Sequence, residues 1–246
     1  MKKLLFIIFI FNFESAIAQE KIIESFSNLE KLEFRVNEGS LEKYIKFDKA
    51  NSKVINERLD LDYKYLEQGN NAVSPACTKL IVTKLNKNSS KKHFITWGAI
   101  NGPSTGFAIF EAKEPYKMLG VIYSSKIIVP GNGFIYSIER EDHNFYVKKK
   151  YVTDNDSISE VKQPYYGVNI DFYALEPITI YEDESLTKSI AVIPKRGAIK
   201  VLVAKESNEY DSKFLVQSSF GLVGWTKIKA AQYRSMSVEG IYYYGD

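Results

Sequence analysis

Pro130-Gly131-Asn132-Gly133, followed at once by Phe134-Ile135-Tyr136-Ser137-Ile138-Glu139, decides how this chain is read. The first four residues are a strong turn signal. In the next six, Phe134, Tyr136 and Ile138 alternate with Ile135, Ser137 and Glu139, the period of a half-buried strand. Upstream, Leu80-Ile81-Val82-Thr83 and His93-Phe94-Ile95-Thr96-Trp97 flank the turn Lys87-Asn88-Ser89-Ser90, and residues 107–110 and 119–123 pair around Glu114-Pro115. Downstream, Phe145, Val147 and Tyr151 lie on one strand, and Asp154-Asn155-Asp156-Ser157 turns the chain into residues 158–161. Strands at this spacing with local turns predict an antiparallel β meander.

The pattern differs before residue 70. Ile22, Ile23, Phe26, Leu29 and Leu32 recur at steps suited to one helix face, and Ile55, Leu59, Tyr63 and Leu66 repeat this over residues 53–68, with Gly69-Asn70-Asn71 as the stop. The expected fold class is therefore mainly β with a helical N-terminal segment: a helix-then-β unit over 19–170 and a small barrel over 173–246. Tyr165 to Tyr173, apolar and extended, reads as a packed connector, since it lacks a Gly/Ser run.

The first residues carry a targeting signal. Lys2 and Lys3 precede the apolar run from Leu4 to Phe13, broken only by Asn12, and Ala16-Ile17-Ala18 places small residues before Gln19. This is the layout of a cleavable signal peptide over residues 1–18. The run is shorter than the ~20 residues that span a bilayer. The expected location is exported, periplasmic or extracellular, with no transmembrane segment after cleavage. The net charge of +3 on the full sequence falls to about +2 without Lys2, Lys3 and Glu14. In chain order the basic residues are scattered among acids, so nucleic acid is not expected as a partner. Lys148-Lys149-Lys150, the densest basic run, reads as a solvated edge. Cys77 is the only cysteine, so no internal disulfide is possible and the fold stands on packing.

Toward the C-terminus the motifs become more specific. Ile178-Thr179-Ile180-Tyr181 is an opening strand, and Glu182-Asp183-Glu184-Ser185 is a polar loop. Residues 189–197 run into Gly197, where permissive dihedrals suit a turn. Residues 198–203 follow as a strand, and Gly224-Trp225-Thr226-Lys227-Ile228 closes the unit. This stretch, from about Pro177 to Ala230, resembles bacterial SH3 (SH3b) domains. The chain departs from that family at Phe214-Leu215-Val216-Gln217, which keeps the apolar character but drops the family's tryptophan. The whole is similar in layout to uncharacterised secreted proteins with a C-terminal SH3-like domain. The resemblance implies a barrel that binds or packs in exported proteins, with peptidoglycan or peptide as the ligand class. It places Tyr181, Tyr210, Phe214 and Trp225 on an aromatic groove. Set against that is core packing, which for Trp225 means contact with Ile180, Val192 and Val201.

No catalytic constellation stands out. Cys77, His93 and His143 are the inventory for a Cys-His peptidase, but Cys77 precedes a strand pattern rather than a helix. No metal-ligand spacing exists between the two histidines and the cysteine, so no metal and no cofactor are expected. The sequence thus points to a non-enzymatic binding or accessory protein that contacts a cell-envelope component or a protein through β surfaces. The alternatives are an envelope hydrolase with catalysis in residues 70–170 and a purely structural subunit.

Overall fold

The computed structural model describes residues 26–34, 43–58, 67–68, 71–72, 78–99, 105–114, 116–139, 145–154, 157–205, 211–231 and 234–241. Residues 1–18, read above as a signal peptide, and Cys77, His143 and Tyr210 lie outside the described residues. The chain is mainly β. Among the described residues there is no α-helix, only one 3-10 turn at Lys49–Asn51, and no helix long and apolar enough to cross a membrane.

In chain order the strands are β1 (Glu30–Phe34), β2 (Lys43–Phe47), β3 (Ser52–Arg58), β4 (Glu67–Gln68), β5 (Asn71–Ala72), β6 (Thr78–Thr83), β7 (His93–Ala99), β8 (Thr105–Glu111), β9 (Met118–Ile122) and β10 (Lys126–Val129). There follow β11 (Phe134–Glu139), β12 (Val147–Thr153), β13 (Ile158–Glu160), β14 (Tyr165–Tyr173), β15 (Ile178–Tyr181), β16 (Ser189–Ile193), β17 (Ala198–Lys205), β18 (Asp211–Ser218), β19 (Val223–Ala231) and β20 (Arg234–Ser235).

The helical expectation for the N-terminal segment is overturned where the structure describes it. Leu32 lies on β1, and residues 53–58 lie on β3, which pairs with β6. Tertiary pairing overrides a short-range pattern, because apolar residues a few positions apart suit a strand as readily as a helix once a partner strand is present.

β6, β7, β8 and β9 form an antiparallel meander, as expected, and β3 pairs with β6 at its edge to make the sheet five-stranded. The six-stranded sheet, in the order β1-β2-β10-β11-β12-β13, is mixed rather than wholly antiparallel, because β10 runs parallel to β2 with Ile127 opposite Ile45. The turn at 130–133 joins β10 to β11 as an antiparallel hairpin, with Gly131 at φ 76° and Gly133 at φ 87°. These two sheets share one core: Ile45 and Phe47, Ile81, Ile95, Phe107 and Ile109 from the meander, and Ile127, Val129 and Ile135 are all buried within it. At the edge, Ile158 of β13 lies against Gly120 of β9.

The third sheet has the order β14-β17-β18-β19-β15-β16, with β20 pairing β19. Tyr165–Tyr173, read above as a connector, is a nine-residue strand that pairs with β17 on both sides of an irregularity between Gly167 and Ile170. A second core lies on the inner face of this sheet and includes Ile180, Ile199, Val201, Phe214, Val216 and Ile228. Val147, the first residue of β12, and Phe145 just before it join this core and tie the third sheet to the six-stranded one. The end of the described chain closes on the same sheet: Val238 bridges Ala174, and Glu239 N donates to Tyr173 O.

Two glycines here are set by space. At Gly197 the turn's positive φ (65°) falls on Arg196, while a Cβ on Gly197 would overlap Ile193 Cγ2 and Pro194 O. At Gly224, where β19 crosses β15, a Cβ would run into the Tyr181 carbonyl oxygen and Ile180 Cγ2. A backbone carbonyl cannot rotate away as a side chain can. Gly224→Ala is therefore expected to lower stability by about 1–3 kcal/mol, the usual range of overpacking, measurable by denaturant unfolding. An unchanged midpoint would mean that the crossing has slack.

Candidate functional site

The best-defined surface site lies on the outer face of the third sheet. Side chains alternate across a strand, and β19 shows this plainly: Gly224, Thr226 and Ile228 are buried, so Val223, Trp225 and Lys227 face outward. By the same alternation Phe214 and Val216 point inward and Leu215 outward. The register then places Gly167, Val203, Leu215, Trp225 and Tyr181 directly opposite one another across five strands.

Trp225 is half-buried and its ring lies 5.8 Å from that of Tyr165, at a tilt of 45°. Tyr165 is itself exposed. Leu215 and Val203 lie in the row between them, and Gly167, which has no side chain, leaves the β14 end open. The polar loop after β15 borders this face. Asp183 Oδ1 accepts from Ser185 N at 2.8 Å and from the Ser185 hydroxyl, bonds that hold its carboxyl below the usual carboxylate range. Glu184 anchors the loop to the sheet: its Oε2 pairs with Lys205 Nζ at 2.7 Å, and its carbonyl accepts from Lys213 Nζ at 2.8 Å. The Glu184 carboxylate raises the Lys205 pKa, the direct hydrogen bond being the main cause. The result is an aromatic row bordered by a fixed carboxylate and two ammonium groups. Such a surface offers stacking for a sugar ring or a proline-type side chain, and hydrogen bonds at the rim.

Of the four residues assigned to a groove, Tyr181 and Trp225 are brought together, opposite each other between β15 and β19. Phe214 is not on this face. It is 1% exposed and packs in the core, edge-on to Phe145 at 6.3 Å. Tyr210 lies outside the described residues. The core alternative for Trp225 is overturned: Thr226 occupies the inward position, Val192 is exposed, and Trp225 is not among the residues packed on that core. Tyr165 was missed because its stretch read as a connector. The alternation of Tyr165, Gly167 and Tyr166, Val168 was the available signal.

Among the other candidates, His93 is buried on β7 and its Nδ1 has no hydrogen-bond partner among the described residues. Burial lowers its pKa below 6.5, with Glu111 raising it and Lys91 lowering it by smaller amounts. The unfolded chain thus takes up this proton more readily than the folded one. Stability from this group is full above about pH 6.5 and declines as the pH falls below it. Unfolding midpoints between about pH 7 and 5.5 are expected to fall, and less steeply in His93→Asn. Equal slopes in the two proteins would assign the decline to other groups.

A buried polar cluster lies between the neighbouring strands β11 and β12. Glu139 Oε1 accepts from Ser137 Oγ and from Tyr151 OH at 3.0 Å, and Glu139 Oε2 pairs with Lys149 Nζ at 3.0 Å. Desolvation, then the Glu139 charge, pushes the Tyr151 hydroxyl well above the usual phenol range. The carboxylate is saturated by three donors, which suits a structural tie between the adjacent strands β11 and β12. Among the described residues no three His, Cys, Asp or Glu side chains converge as metal ligands. Comparison with protein-family models, curated proteins and solved structures gave no match.

Proposed function

We propose that this is an exported, non-enzymatic binding or accessory protein, that its C-terminal sheet is an SH3-like barrel, and that this sheet holds a cell-envelope component or a protein against its outer aromatic row. The observation that carries the reading is the meeting of Tyr165, Trp225 and Tyr181 on one outward face, beside a loop pinned by Glu184. Large aromatic side chains left half-exposed on a rigid sheet supply contact area at low entropic cost. Phe214, whose ring is used for the core, takes no part in it.

The test is binding of soluble peptidoglycan fragments and of proline-rich peptides, measured by calorimetry. Trp225→Ala is expected to weaken binding by about 30-fold or more, the effect of losing a central aromatic contact of ~2 kcal/mol. Phe220→Ala, at an exposed hairpin tip, is expected to bind as wild type does. Equal affinity in Trp225→Ala and wild type would remove this face from the function.

A further inference from the structure

Five large apolar side chains are exposed at one corner of the third sheet. Ile190 and Val192 belong to β16, and Phe220, Leu222 and Val223 lie at the turn between β18 and β19. Ile190 links the two groups, since its Cδ1 lies 3.1 Å from where a Cβ on Gly224 would be, next to Val223. Val192 is 60% exposed, although both its neighbours in the chain are more covered. Apolar side chains gathered in this way on a surface mark a contact with another molecule.

β16 is also an open edge. It pairs with β15 and has no second neighbour among the described residues. Sheet edges invite another chain, and proteins blunt them with charges, irregularities or short strands. Other edges of this protein are blunted in those ways: β1 carries Glu30, Lys31 and Glu33, β13 has three residues, and β14 breaks register between Gly167 and Ile170. β16 reads Ser189-Ile190-Ala191-Val192-Ile193, with no charge. Its irregularity falls at Ile190 and leaves Ala191 to Ile193 in regular register.

The charges at the two ends of β16 identify the partner. Before it lies the acidic loop, where Glu182 N donates to Lys188 O at 2.9 Å and Ser185 N donates to the Asp183 carboxylate at 2.8 Å. After it lies a basic turn, Lys195-Arg196, pinned by Arg196 N to Ala174 O at 2.7 Å and by Gly197 N to Pro194 O at 2.8 Å. We propose that β16 is the contact between two copies of this chain, related by a two-fold axis near Ala191. Antiparallel pairing about that axis sets Ile190 against Val192 of the second copy and carries each acidic loop to the second copy's basic turn. A two-fold contact needs a patch complementary to itself, and an apolar centre with opposite charges at its ends is one. Lys188 pairs with Glu182 at 2.6 Å and Lys205 with Glu184 at 2.7 Å. Asp183 then supplies the unbalanced charge, and the exposed Glu182 carboxylate has lone pairs for a further donor. An anionic lipid surface fits less well, because these acids border the apolar corner and would be repelled.

Sedimentation velocity on the whole chain tests this. A contact of one edge strand lies at the small end of specific interfaces, so a reversible dimer with Kd on the order of 1–100 µM is expected. Val192→Lys puts a charge into the apolar centre and is expected to weaken the dimer about tenfold or more. The charge variants test the symmetry. Lys195→Glu/Arg196→Glu makes both ends of β16 acidic, and Glu182→Lys/Asp183→Lys makes both basic, so each variant alone is expected to stay monomeric. Mixed in equal amounts they are expected to dimerise, because every acidic end then meets a basic one. The proposal is overturned if the wild-type chain is monomeric throughout that concentration range, if Val192→Lys or either charge variant dimerises as the wild type does, or if the mixture stays monomeric. It is equally overturned by a monomer that binds phosphatidylglycerol vesicles and loses them in Phe220→Ala/Leu222→Ala, which would assign the corner to lipid.

Discussion

Phe214→Ala is expected to lower stability by about 3–5 kcal/mol, the range for truncating a buried aromatic ring, while Trp225→Ala costs under about 1 kcal/mol, as surface changes usually do. The two residues lie on adjacent strands, and their order of importance is the reverse of what the sequence suggests. Phe214 is 1% exposed, meets Phe145 of the neighbouring sheet at 6.3 Å and shares a core with Val201, Val216 and Ile228. Because Phe145 leads into β12, the cavity left by Phe214→Ala also loosens the contact between the third sheet and the six-stranded one. Denaturant unfolding of the two variants gives the comparison directly. A larger loss in Trp225→Ala than in Phe214→Ala would return the tryptophan to the core.

Lys149→Met has an effect of similar size for an electrostatic reason. The Glu139 side chain is 8% exposed and that of Lys149 is 17% exposed, at a separation of 3.0 Å. Removing the ammonium leaves a buried carboxylate held only by the Ser137 and Tyr151 hydroxyls. Breaking a buried ion pair from one side costs about 3–5 kcal/mol, whereas replacing both partners costs far less. Lys149→Met is expected to lose that amount and the double variant Lys149→Met/Glu139→Gln to recover a large part of it. Chemical unfolding of the single and double variants closes the cycle, and additive losses would show that the pair is not coupled.

Most strands and turns from residue 78 onward were legible in the sequence because each signal is local: the turn at 130–133, the alternation through β11, and the strands from Ile178 onward in the third sheet, though not β14, which read as a connector. The parallel β2–β10 pair was not legible, since nothing near Ile45 specifies Ile127 as its neighbour. β3 misread as a helix for a related reason, its partner β6 being supplied by a distant segment. At the aromatic site, Tyr181 and Trp225 could be read from the motif that carries them. Tyr165 sat in an alternating stretch that signalled a strand, but its place in the site depends on β14 joining the sheet beside β17, which no local pattern specifies.

The parallel pair also bears on the order of events as the chain acquires its structure. Pairing Ile45 with Ile127 closes a loop of roughly eighty residues that contains the entire five-stranded sheet. By polymer statistics that closure costs about 2 kcal/mol more entropy than a ten-residue hairpin. Strands β6 to β9 need only neighbouring hairpins, so they are positioned to form early, with β1–β2 waiting as an isolated ribbon of marginal stability. Until residues 126–129 arrive, Ile45 and Phe47 have one edge open to any strand that passes. In a chain made from its N-terminus, this hairpin is the segment most exposed to wrong partners, and holding it apart is where a folding helper would have most to contribute.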